Sequence, residues 1–537
     1  MFQVEIKYNI QKIEKLDYLY YNIAMINSGR IQKENFHYFT KAASKLTEGE
    51  IEAISELFSN NYGKYSIHHP DLSKREKQIQ LKPSYYKRNF TSNDYTYVAL
   101  AYYETTLVGH AFYIIEKTSK GNATWVLQLV VKKDFRRQQI AKKLLFSIWG
   151  FSNDYAWGLA TTNPLTIKTL ESATLRKVSL QQMKQNIALI QQLSDKINFI
   201  SRDDITINET NSIVNSSYYV SHEDIPNFIS NYGNNWIFGN LQEGFEWLAF
   251  TFRDQFLKPI SKKDFDNFIE YSEQRLIDAY SRMDMQNQSW AKHTAAEINF
   301  IKQYMPNTKE LQIVDIGCGT ARHIAELFAN GYKNVYGFDF SQNLILQALN
   351  SHPELENKVF TKDVRNLKLS KKADVILCLY DVIGSFPTSS ENLKIIKAAK
   401  RNLKKGGLFI CSVMNMELTE SLCKYKFDIY NNPKELFKLK ASQTMQQTGN
   451  IFNPDNFIID TTSNLVYRKE MFKGDGFLDS EYIIRDKRYT KNEISDLLET
   501  SGFSIVDSRY VRAGKFEEAL NATDKNAKEI LIIARLN

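Results

Sequence analysis

The stretch from Leu311 to Asp339 constrains the fold of this chain more than any other. It alternates as an apolar strand, turns at Gly317 and Gly319, continues with apolar residues at helical spacing, and ends in a second strand. That second strand closes on Asp339. A carboxylate at the end of a second strand, about 20 residues past a glycine turn, can bind the hydroxyls of a ribose. The stretch therefore predicts a strand-helix-strand unit that binds a nucleoside cofactor.

The residue at the end of the glycine turn indicates which cofactor to expect. A dinucleotide-binding turn has the pattern G-x-G-x-x-G, whose third glycine lets the helix pack closely. Here Arg322 occupies that third position. The sequence VDIGCGTA instead resembles motif I of the class I S-adenosylmethionine (SAM) methyltransferases, whose cofactor carries no phosphates. The resemblance implies a Rossmann-like domain that binds SAM.

The elements that follow extend this resemblance. Strand and helix patterns alternate as far as LKKGGLFICSV, which predicts right-handed crossovers and a mainly parallel sheet with ligands over its C-terminal strand ends. GFDFSQNLILQA resembles the second motif of the family, and Asp363, at the end of the third strand, is placed to accept from the adenine amino group. The resemblance implies SAM-binding roles for Asp315, Gly317, Gly319, Thr320, Asp339, Phe340, Asp363, Val364 and Leu379.

The end of the fourth strand carries the candidate catalytic residues, Tyr380 and Asp381. DNA amino-methyltransferases have D/N-P-P-Y/F there, to bind the exocyclic amine of a flipped base, but this chain reads LYDVIGSF, which argues against base N-methylation. The tail RDKRYTKNEISDLLETSGF resembles the closing segment of small-molecule methyltransferases related to the glycine, sarcosine and quinone-precursor enzymes. Tyr380 or Asp381 could then serve an amine acceptor, and a core or capping role for either is equally open.

A different pattern fills the N-terminal half. Three alternating strands end at Tyr103, Glu116 and Val131, and a loop with an amphipathic helix, a strand, and a helix opened by Asn163 and Pro164 follow. This order resembles the GCN5-related N-acetyltransferase (GNAT) fold, a mixed α+β domain. The whole chain is thus predicted to be α/β, with a GNAT-like domain followed by a Rossmann-like methyltransferase domain.

The loop before that amphipathic helix carries the resemblance. The sequence VKKDFRRQQIA is similar to the family's R/Q-x-x-G-x-G/A, where N–H groups at a helix N-terminus bind the pyrophosphate of acetyl-CoA. Gln139 stands where the family usually has glycine, and a side chain there narrows the approach of the phosphates. The resemblance implies acetyl-CoA contacts for Val131, Arg136, Arg137, Gln138, Gln139, Ile140, Ala141 and Asn163.

The catalytic groups of this half depart from the family pattern. Many GNAT enzymes have a glutamate on the strand before the loop and a tyrosine on the following helix, but the matching regions hold Leu127, Gln128 and Leu170. None of these can exchange the required protons. His68, His69 and Glu171 are candidate substitutes, and the spacing does not choose among them.

Composition narrows the location and the partners. The net charge of +8 over 537 residues is a mild excess that does not demand an acidic partner. The four cysteines form no C-x-x-C pair, no apolar run reaches the roughly 18 to 20 residues of a membrane span, and the N-terminal segment is charged. His68 and His69 have no evident carboxylate partner for a metal. We therefore predict a cytoplasmic protein that uses neither a metal nor a membrane.

These patterns predict two domains. The first is a GNAT-like acyltransferase domain over 1–258 with a helical lead-in over 1–35, and the second is a methyltransferase domain over 259–537. The second includes approach helices over 264–305 and an insert over 418–460 that is positioned to cover a substrate.

The predicted function is that of a bifunctional transferase, which uses SAM and acetyl-CoA to modify an amine-bearing small molecule or peptide. Two alternatives stay open. One is a methyltransferase whose GNAT-like half is a non-catalytic recognition module. The other is an enzyme that modifies tRNA or DNA, with the basic, tyrosine-rich loop over 62–94 contacting the nucleic acid; this substrate is the less favoured.

Overall fold

The computed structural model describes residues 36–152, 154–222, 225–232, 236–255, 261–263, 265–270, 289–447, 449–474 and 477–537. The chain divides into two compact units, one of Phe36–Asn267 with Lys473–Ser480, and one that holds Phe268–Phe472 and Glu481–Asn537. The predicted lead-in over 1–35 and residues 271–288 of the predicted approach helices lie outside the described residues.

The N-terminal unit is built on a mixed sheet. Its strands are β1 (Phe36–Ala42), β2 (Thr96–Tyr103), β3 (Thr106–Thr118), β4 (Gly121–Val131), β5 (Ala156–Thr161), β6 (Ile205–Ile207), β7 (Ser212–Tyr218) and β8 (Gly244–Phe252). They lie in the order β1-β2-β3-β4-β5-β8-β7-β6, in which β4 and β5 are parallel and the other neighbours antiparallel. The parallel pairing stops at Val126 and Leu159 while both strands continue, so they separate toward their C-terminal ends.

Seven helices of the N-terminal unit are described. They are α1 (Glu48–Asn61), α2 (Pro83–Tyr86), α3 (Ile140–Trp149), α4 (Pro164–Thr174), α5 (Leu180–Gln185), α6 (Ile187–Ser194) and α7 (Ile225–Tyr232). The predicted capping box of α1 is confirmed, because Thr47 Oγ1 accepts from Glu50 N at 3.3 Å and Glu50 Oε2 accepts from Thr47 N at 2.8 Å.

One helix prediction for this unit is wrong. The apolar spacing predicts a single helix from Gln181 to Ile197, but the structure has α5 and α6 with a break at Asn186. Asn186 Oδ1 accepts from Lys120 Nζ at 2.9 Å and from Tyr155 OH at 3.1 Å. These bonds come from residues far away in the sequence, so the local pattern could not show them.

The C-terminal unit contains a larger set of strands. They are β9 (Ile313–Ile316), β10 (Val335–Asp339), β11 (Val359–Thr361), β12 (Ala373–Cys378), β13 (Leu403–Met414), β14 (Lys426–Phe427), β15 (Phe457–Asp460), β16 (Val466–Gly474), β17 (Phe477–Asp486), β18 (Phe503–Arg512), β19 (Lys515–Leu520) and β20 (Glu529–Leu536). The main sheet has the order β11-β10-β9-β12-β13-β20-β18-β19, and β14-β15-β16-β17 lie side by side in that order.

The main sheet places the site between two central strands. Neighbouring strands from β11 to β13 are parallel, and each neighbouring pair from β13 through β20 and β18 to β19 is antiparallel. The predicted mainly parallel sheet is therefore confirmed. The chain runs outward from β9 to β11 and then returns to β12 on the other side of β9. Ligands of such sheets lie over the C-terminal strand ends at this reversal.

Seven described helices complete the unit. Its helices are α8 (Thr294–Lys302), α9 (Arg322–Ala329), α10 (Gln342–Ser351), α11 (Ser389–Asn402), α12 (Met416–Leu422), α13 (Pro433–Lys438) and α14 (Lys491–Thr500). No strand is predicted at β20 from the sequence, although its run ILIIA is short, apolar and rich in β-branched residues. Within the described ranges, no helix is both long and apolar enough to cross a bilayer.

Candidate functional site

The glycine turn after β9 has the tight geometry that the sequence predicts. Gly317 and Gly319 have φ of 79° and 53°, a region that side chains rarely adopt. A Cβ on Gly317 would lie 2.3 Å from Val382 Cγ2 in the loop after β12. The turn therefore tolerates no side chain at Gly317 and lets the backbone approach the reversal point of the sheet.

Asp339 ties this turn to the end of β10. Its Oδ2 accepts from Gly319 N at 2.9 Å and its Oδ1 accepts from Ser341 N at 2.8 Å. Burial raises the pKa of Asp339 to about 6, although the N–H donors of Ser341 and Gly319 lower it. Each carboxylate oxygen has a second lone pair. The geometry fits a carboxylate that can also accept from ribose hydroxyls.

The predicted adenine contact, Asp363, has strong partners within the protein. It caps the 3-10 helix Val364–Asn366, and Oδ1 accepts from Arg365 N at 3.0 Å. The Arg365 guanidinium also binds it, with 2.6 Å between Nη2 and Oδ2. An adenine contact of Asp363 stays a prediction, and it would have to share this carboxylate with Arg365.

Tyr380 and Asp381 lie directly after β12, over the same end of the sheet. Both have left-handed backbone conformations, with φ of 62° and 64°. Two consecutive residues of this kind without glycine are strained, and such strain is often found at functional sites. Tyr380 N donates to Ser412 Oγ at 2.8 Å, which fixes the turn.

Glu297 on α8 organises a buried ionic group below the glycine turn, which we name the Glu297 cluster: Glu297, Asp315, Arg322, His323 and Tyr380. Glu297 is fully buried and accepts from Arg322 Nη1 at 2.5 Å, from His323 Nε2 at 2.9 Å and from the Tyr380 hydroxyl. His323 Nδ1 lies 3.6 Å from Asp315 Oδ2.

The charges of this cluster fix its protonation. Burial alone would raise the pKa of Glu297, but its hydrogen bond to His323 and the charges of His323 and Arg322 outweigh that effect and lower the pKa to about 2. The sequence reading missed this role of Glu297. The available signal was an acidic residue four positions before Ile301 on the apolar face of α8.

A second buried ionic group lies near Asp381, and we name it the Arg488 cluster: Asp381, Arg468, Glu470, Asp486 and Arg488. Arg468 Nε lies 2.5 Å from Asp486 Oδ2, and its Nη1 lies 2.6 Å from Glu470 Oε1. Arg488 Nη1 donates to Thr419 Oγ1 at 2.9 Å. The predicted insert over 418–460 supplies three residues that contact or border Arg488, namely Thr419, Ile451 and Phe457.

Asp381 is the least satisfied member of the Arg488 cluster. Its Oδ1 is buried and has no hydrogen-bond partner among the described residues. Burial, and then the charge of Asp486, raise the pKa of Asp381 well above its usual value, although Arg488 and Arg468 act in the opposite direction. A carboxyl group with a raised pKa is a stronger base once it is ionised.

The candidate acetyl-CoA loop of the N-terminal unit has the backbone of a glycine turn without the glycine. Arg137 and Gln139 have φ of 64° and 63°. Helix α3 begins directly after Gln139, and the N–H groups of a first helical turn have no intrahelical partner. These N–H groups can bind a pyrophosphate. The loop therefore fits the cofactor despite Gln139.

Two predicted contact residues of this loop serve the fold itself. Arg136 Nη2 donates to Asn61 O at 2.5 Å, and its Nε donates to Val131 O at 3.2 Å. Asn163 Oδ1 caps α4 by accepting from Leu165 N at 3.0 Å. Their role toward acetyl-CoA stays a prediction.

The histidines and Glu171 that the sequence offered as substitute bases are placed differently. His68 is exposed, and His69 Nδ1 accepts from Asp71 N at 3.0 Å. Glu171 is buried, where it accepts from Val178 N at 3.0 Å and pairs with Lys168. Glu171 therefore has a structural role.

Glu246 on β8 is a candidate base that the sequence reading missed. Trp247 pairs with Thr161, so Glu246 lies beside the C-terminal end of β5, where β4 and β5 separate. Burial raises the pKa of Glu246. Glu246 in turn contributes to the raised pKa of Tyr62 and of Tyr218, after burial in each case, and these two rings lie 5.8 Å apart. No local pattern in the sequence indicates this group, because its residues come from three separate elements and meet only in the folded structure.

The two units thus define two cofactor-dependent transferase domains, and comparison with known families specifies them. The acetyltransferase (GNAT) family model matches residues 52–148, and a methyltransferase domain model matches residues 307–474. The chain therefore joins a GNAT domain to a SAM-dependent methyltransferase domain, and the predicted fold class is confirmed. The cofactors that these families use are acetyl-CoA and SAM.

Two curated proteins resemble the chain. It is 27% identical over 210 residues to the carboxy-S-adenosyl-L-methionine synthase of Campylobacter fetus, an alignment that covers 38% of this chain and 85% of that protein. It is 28% identical over 126 residues to the tRNA U34 carboxymethyltransferase of Campylobacter lari, which covers 22% of this chain and 41% of that protein.

Solved structures also align with about half of the chain. A SAM-dependent methyltransferase from Clostridium acetobutylicum is 16% identical with a TM-score of 0.34, and covers 49% of this chain and 99% of its own. The CcbJ methyltransferase from Streptomyces caelestis is 13% identical with a TM-score of 0.36, and covers 49% and 96%.

Proposed function

We propose that this chain is a bifunctional transferase that methylates and acylates an amine-bearing small molecule or peptide. The observation that carries the methylation proposal is Asp381, whose buried Oδ1 has no partner among the described residues at the C-terminal end of β12. When a neutral amine attacks the methyl carbon of SAM, the S–CH3 bond breaks, S-adenosylhomocysteine leaves, and the resulting ammonium can pass its proton to this carboxylate.

The residues around the glycine turn hold the methyl donor. SAM supplies an electrophilic methyl carbon, and positioning with exclusion of water provides most of the rate in such a transfer. Asp339 and the turn at Gly317 and Gly319 hold the nucleoside end. Asp381 accepts the proton that the amine loses as its nitrogen forms the new bond to carbon. Tyr380, fixed by Glu297 and Ser412, positions Asp381.

The N-terminal unit holds the acyl donor. Acetyl-CoA supplies a thioester carbonyl, and the first turn of α3 binds its pyrophosphate. Glu246, at the separated end of β4 and β5, accepts the proton of the attacking amine. His110 does not serve this role, because burial lowers its pKa to about 4 and its Nε2 is held 2.8 Å from Gln128 Oε1.

A second candidate function is transfer of a carboxymethyl group to tRNA by the C-terminal unit. The relatives favour it, since one makes carboxy-S-adenosyl-L-methionine and the other is a tRNA U34 carboxymethyltransferase. If the C-terminal unit transfers a carboxymethyl group to tRNA, the role of the GNAT unit would be to recognise the substrate rather than to acylate it. A steep loss of tRNA binding with added salt would support this second candidate function.

Mass spectrometry distinguishes these candidates. The full chain is incubated with acetyl-CoA and with either methyl-labelled SAM or carboxy-S-adenosyl-L-methionine, against a panel of amines and peptides and against tRNA. Labelled methyl and acetyl groups on an amine support the proposal. A carboxymethyl group on tRNA, or no product with any amine, would overturn it. Calorimetry with acetyl-CoA adds a control, because absence of binding would leave the GNAT unit as a recognition module.

A further inference from the structure

Arg488 is buried to an unusual degree for an arginine. Its side chain is fully buried, with its guanidinium carbon 4.4 Å from the Phe452 ring centre and 5.5 Å from that of Phe457. Burial lowers its pKa to about 10, so it stays charged at neutral pH. A buried guanidinium is costly unless all its N–H groups and its charge find partners.

One edge of this guanidinium is poorly satisfied. Nη1 has a normal bond to Thr419 Oγ1 at 2.9 Å. Nη2 has only long contacts, 3.3 Å to Ile451 O and 3.5 Å to Asp486 Oδ2, and Nε has no partner among the described residues. Nε and Nη2 are the pair of donors that binds both oxygens of a carboxylate side by side.

The neighbouring acids do not supply that carboxylate. Asp486 Oδ2 lies 2.5 Å from Arg468 Nε, and Glu470 Oε1 lies 2.6 Å from Arg468 Nη1. Arg468 therefore takes the shorter contacts of both acids. Arg488 keeps the weaker share of Asp486, and no carboxylate of the described residues is hydrogen-bonded to its Nε.

The same cluster contains an unsatisfied acceptor. Asp381 Oδ1 has no partner in the described part of the chain, and Arg488, Arg468 and Asp486 all act on its charge. Asp381 also lies over the strand ends where the cofactor turn meets β12. An unsatisfied acceptor and an unsatisfied cationic edge thus lie in one buried group.

We propose that the Arg488 cluster is the acceptor-recognition site of methyl transfer, and that it takes a small amine that also carries a carboxylate, as an amino acid does. The carboxylate binds the Nε–Nη2 edge of Arg488 and the amine meets Asp381. This inference rests on the proposed methyltransferase function and narrows its substrate class. It also assigns the insert a role, since Thr419 and Ile451 orient Arg488.

Matched acceptors test this proposal on the full chain. Each amino acid in a panel is compared with its carboxamide, which keeps the amine and removes the negative charge. We expect kcat/KM for methyl transfer to the acid to exceed that for the amide by more than about tenfold. Arg488→Lys should reduce that preference mainly through KM, with unchanged affinity for SAM. Arg512→Lys, at an exposed position of the same unit, is the control.

The outcomes separate the two proposals. If no amine is methylated while SAM binds, the proposed function itself fails. If acid and amide are methylated equally well, or if Arg488→Lys keeps the preference, the proposed function stands and the carboxylate site is overturned. Should Arg488→Lys fail to fold, as thermal unfolding would show, the acid–amide comparison in the unaltered chain still decides.

Discussion

Asp381 is the residue on which methyl transfer is expected to depend most. Asp381→Asn keeps its size but cannot take a proton, so kcat should fall about 10²- to 10⁴-fold. Because burial raises the pKa of Asp381, the rate of the unaltered chain should rise with pH as this carboxyl group ionises. The measurement is kcat against pH. A variant that keeps the same rise would contradict the assignment.

Glu297 is expected to matter for stability and for its pH dependence. Its pKa in the folded chain is about 2, below the ordinary value of 4.5. The stabilisation is therefore complete above about pH 4.5 and is lost as the pH falls toward about 2. Glu297→Gln leaves buried Arg322 and His323 without their anion and should cost about 3–5 kcal/mol at neutral pH.

Denaturant unfolding at several pH values measures this effect. Exposed Glu499→Gln provides the control, and its unfolding free energy should match that of the unaltered chain. A Glu297→Gln variant of full stability at neutral pH would contradict the ionic role of the cluster. Sequence reasoning could not reach this cluster, because Tyr380 meets Glu297 across 83 residues of chain and His323 across 26.

At the scale of elements, Gly317 in the turn after β9 and Gly331 after α9 form a matched pair of glycines. Gly317 and Gly331 both have positive φ, of 79° and 91°, but a Cβ would strike Val382 only at Gly317 and has open space at Gly331. Gly317→Ala adds a steric cost of about 1–3 kcal/mol to the backbone strain that both variants share. We expect SAM binding, measured by calorimetry, to weaken more than tenfold for Gly317→Ala and to stay unchanged for Gly331→Ala.

In the loop before α3 the test is to introduce a glycine, at Gln139, rather than to remove one. Gln139 holds a left-handed conformation that costs a non-glycine residue about 1–2 kcal/mol. Gln139→Gly should therefore stabilise the chain toward heat and tighten acetyl-CoA binding, because the family's glycine is restored. Weaker binding would show that the Gln139 side chain itself contacts the cofactor. Glu104→Gly, at another exposed left-handed position of the same unit with φ of 54°, is the control and should leave acetyl-CoA binding unchanged.

Local patterns predicted most elements but not the ones that depend on distant partners. The strand Thr96–Tyr103, the helix Lys491–Thr500 and the strand Phe503–Arg512 have the predicted bounds. Asn186 breaks a predicted helix through bonds to Lys120 and Tyr155. The turn at Gly317 and Gly319 was predictable because its glycine spacing is local, whereas Glu246 and the Arg488 cluster are assembled by the tertiary fold.

At the scale of the whole molecule, the two transfers should be separable. Asp381→Asn should strongly reduce methyl transfer and leave acetyl transfer intact, and Glu246→Gln should do the reverse. The physical reason is that each proton acceptor lies within its own compact unit. Parallel assays with labelled SAM and labelled acetyl-CoA check this. Loss of both activities in either variant would contradict two independent sites.

The Glu297 cluster links helix α8 to the cofactor turn, so that the two unfold together. Because Glu297 bonds to Arg322 and to Tyr380, α8 cannot unwind without releasing both sides of the sheet reversal. A ligand that binds only the assembled turn raises the free energy of opening it, by RT ln(1 + [L]/Kd). Helix α8 contains no predicted SAM contact, yet hydrogen exchange at its amides should slow as SAM is added and report its occupancy.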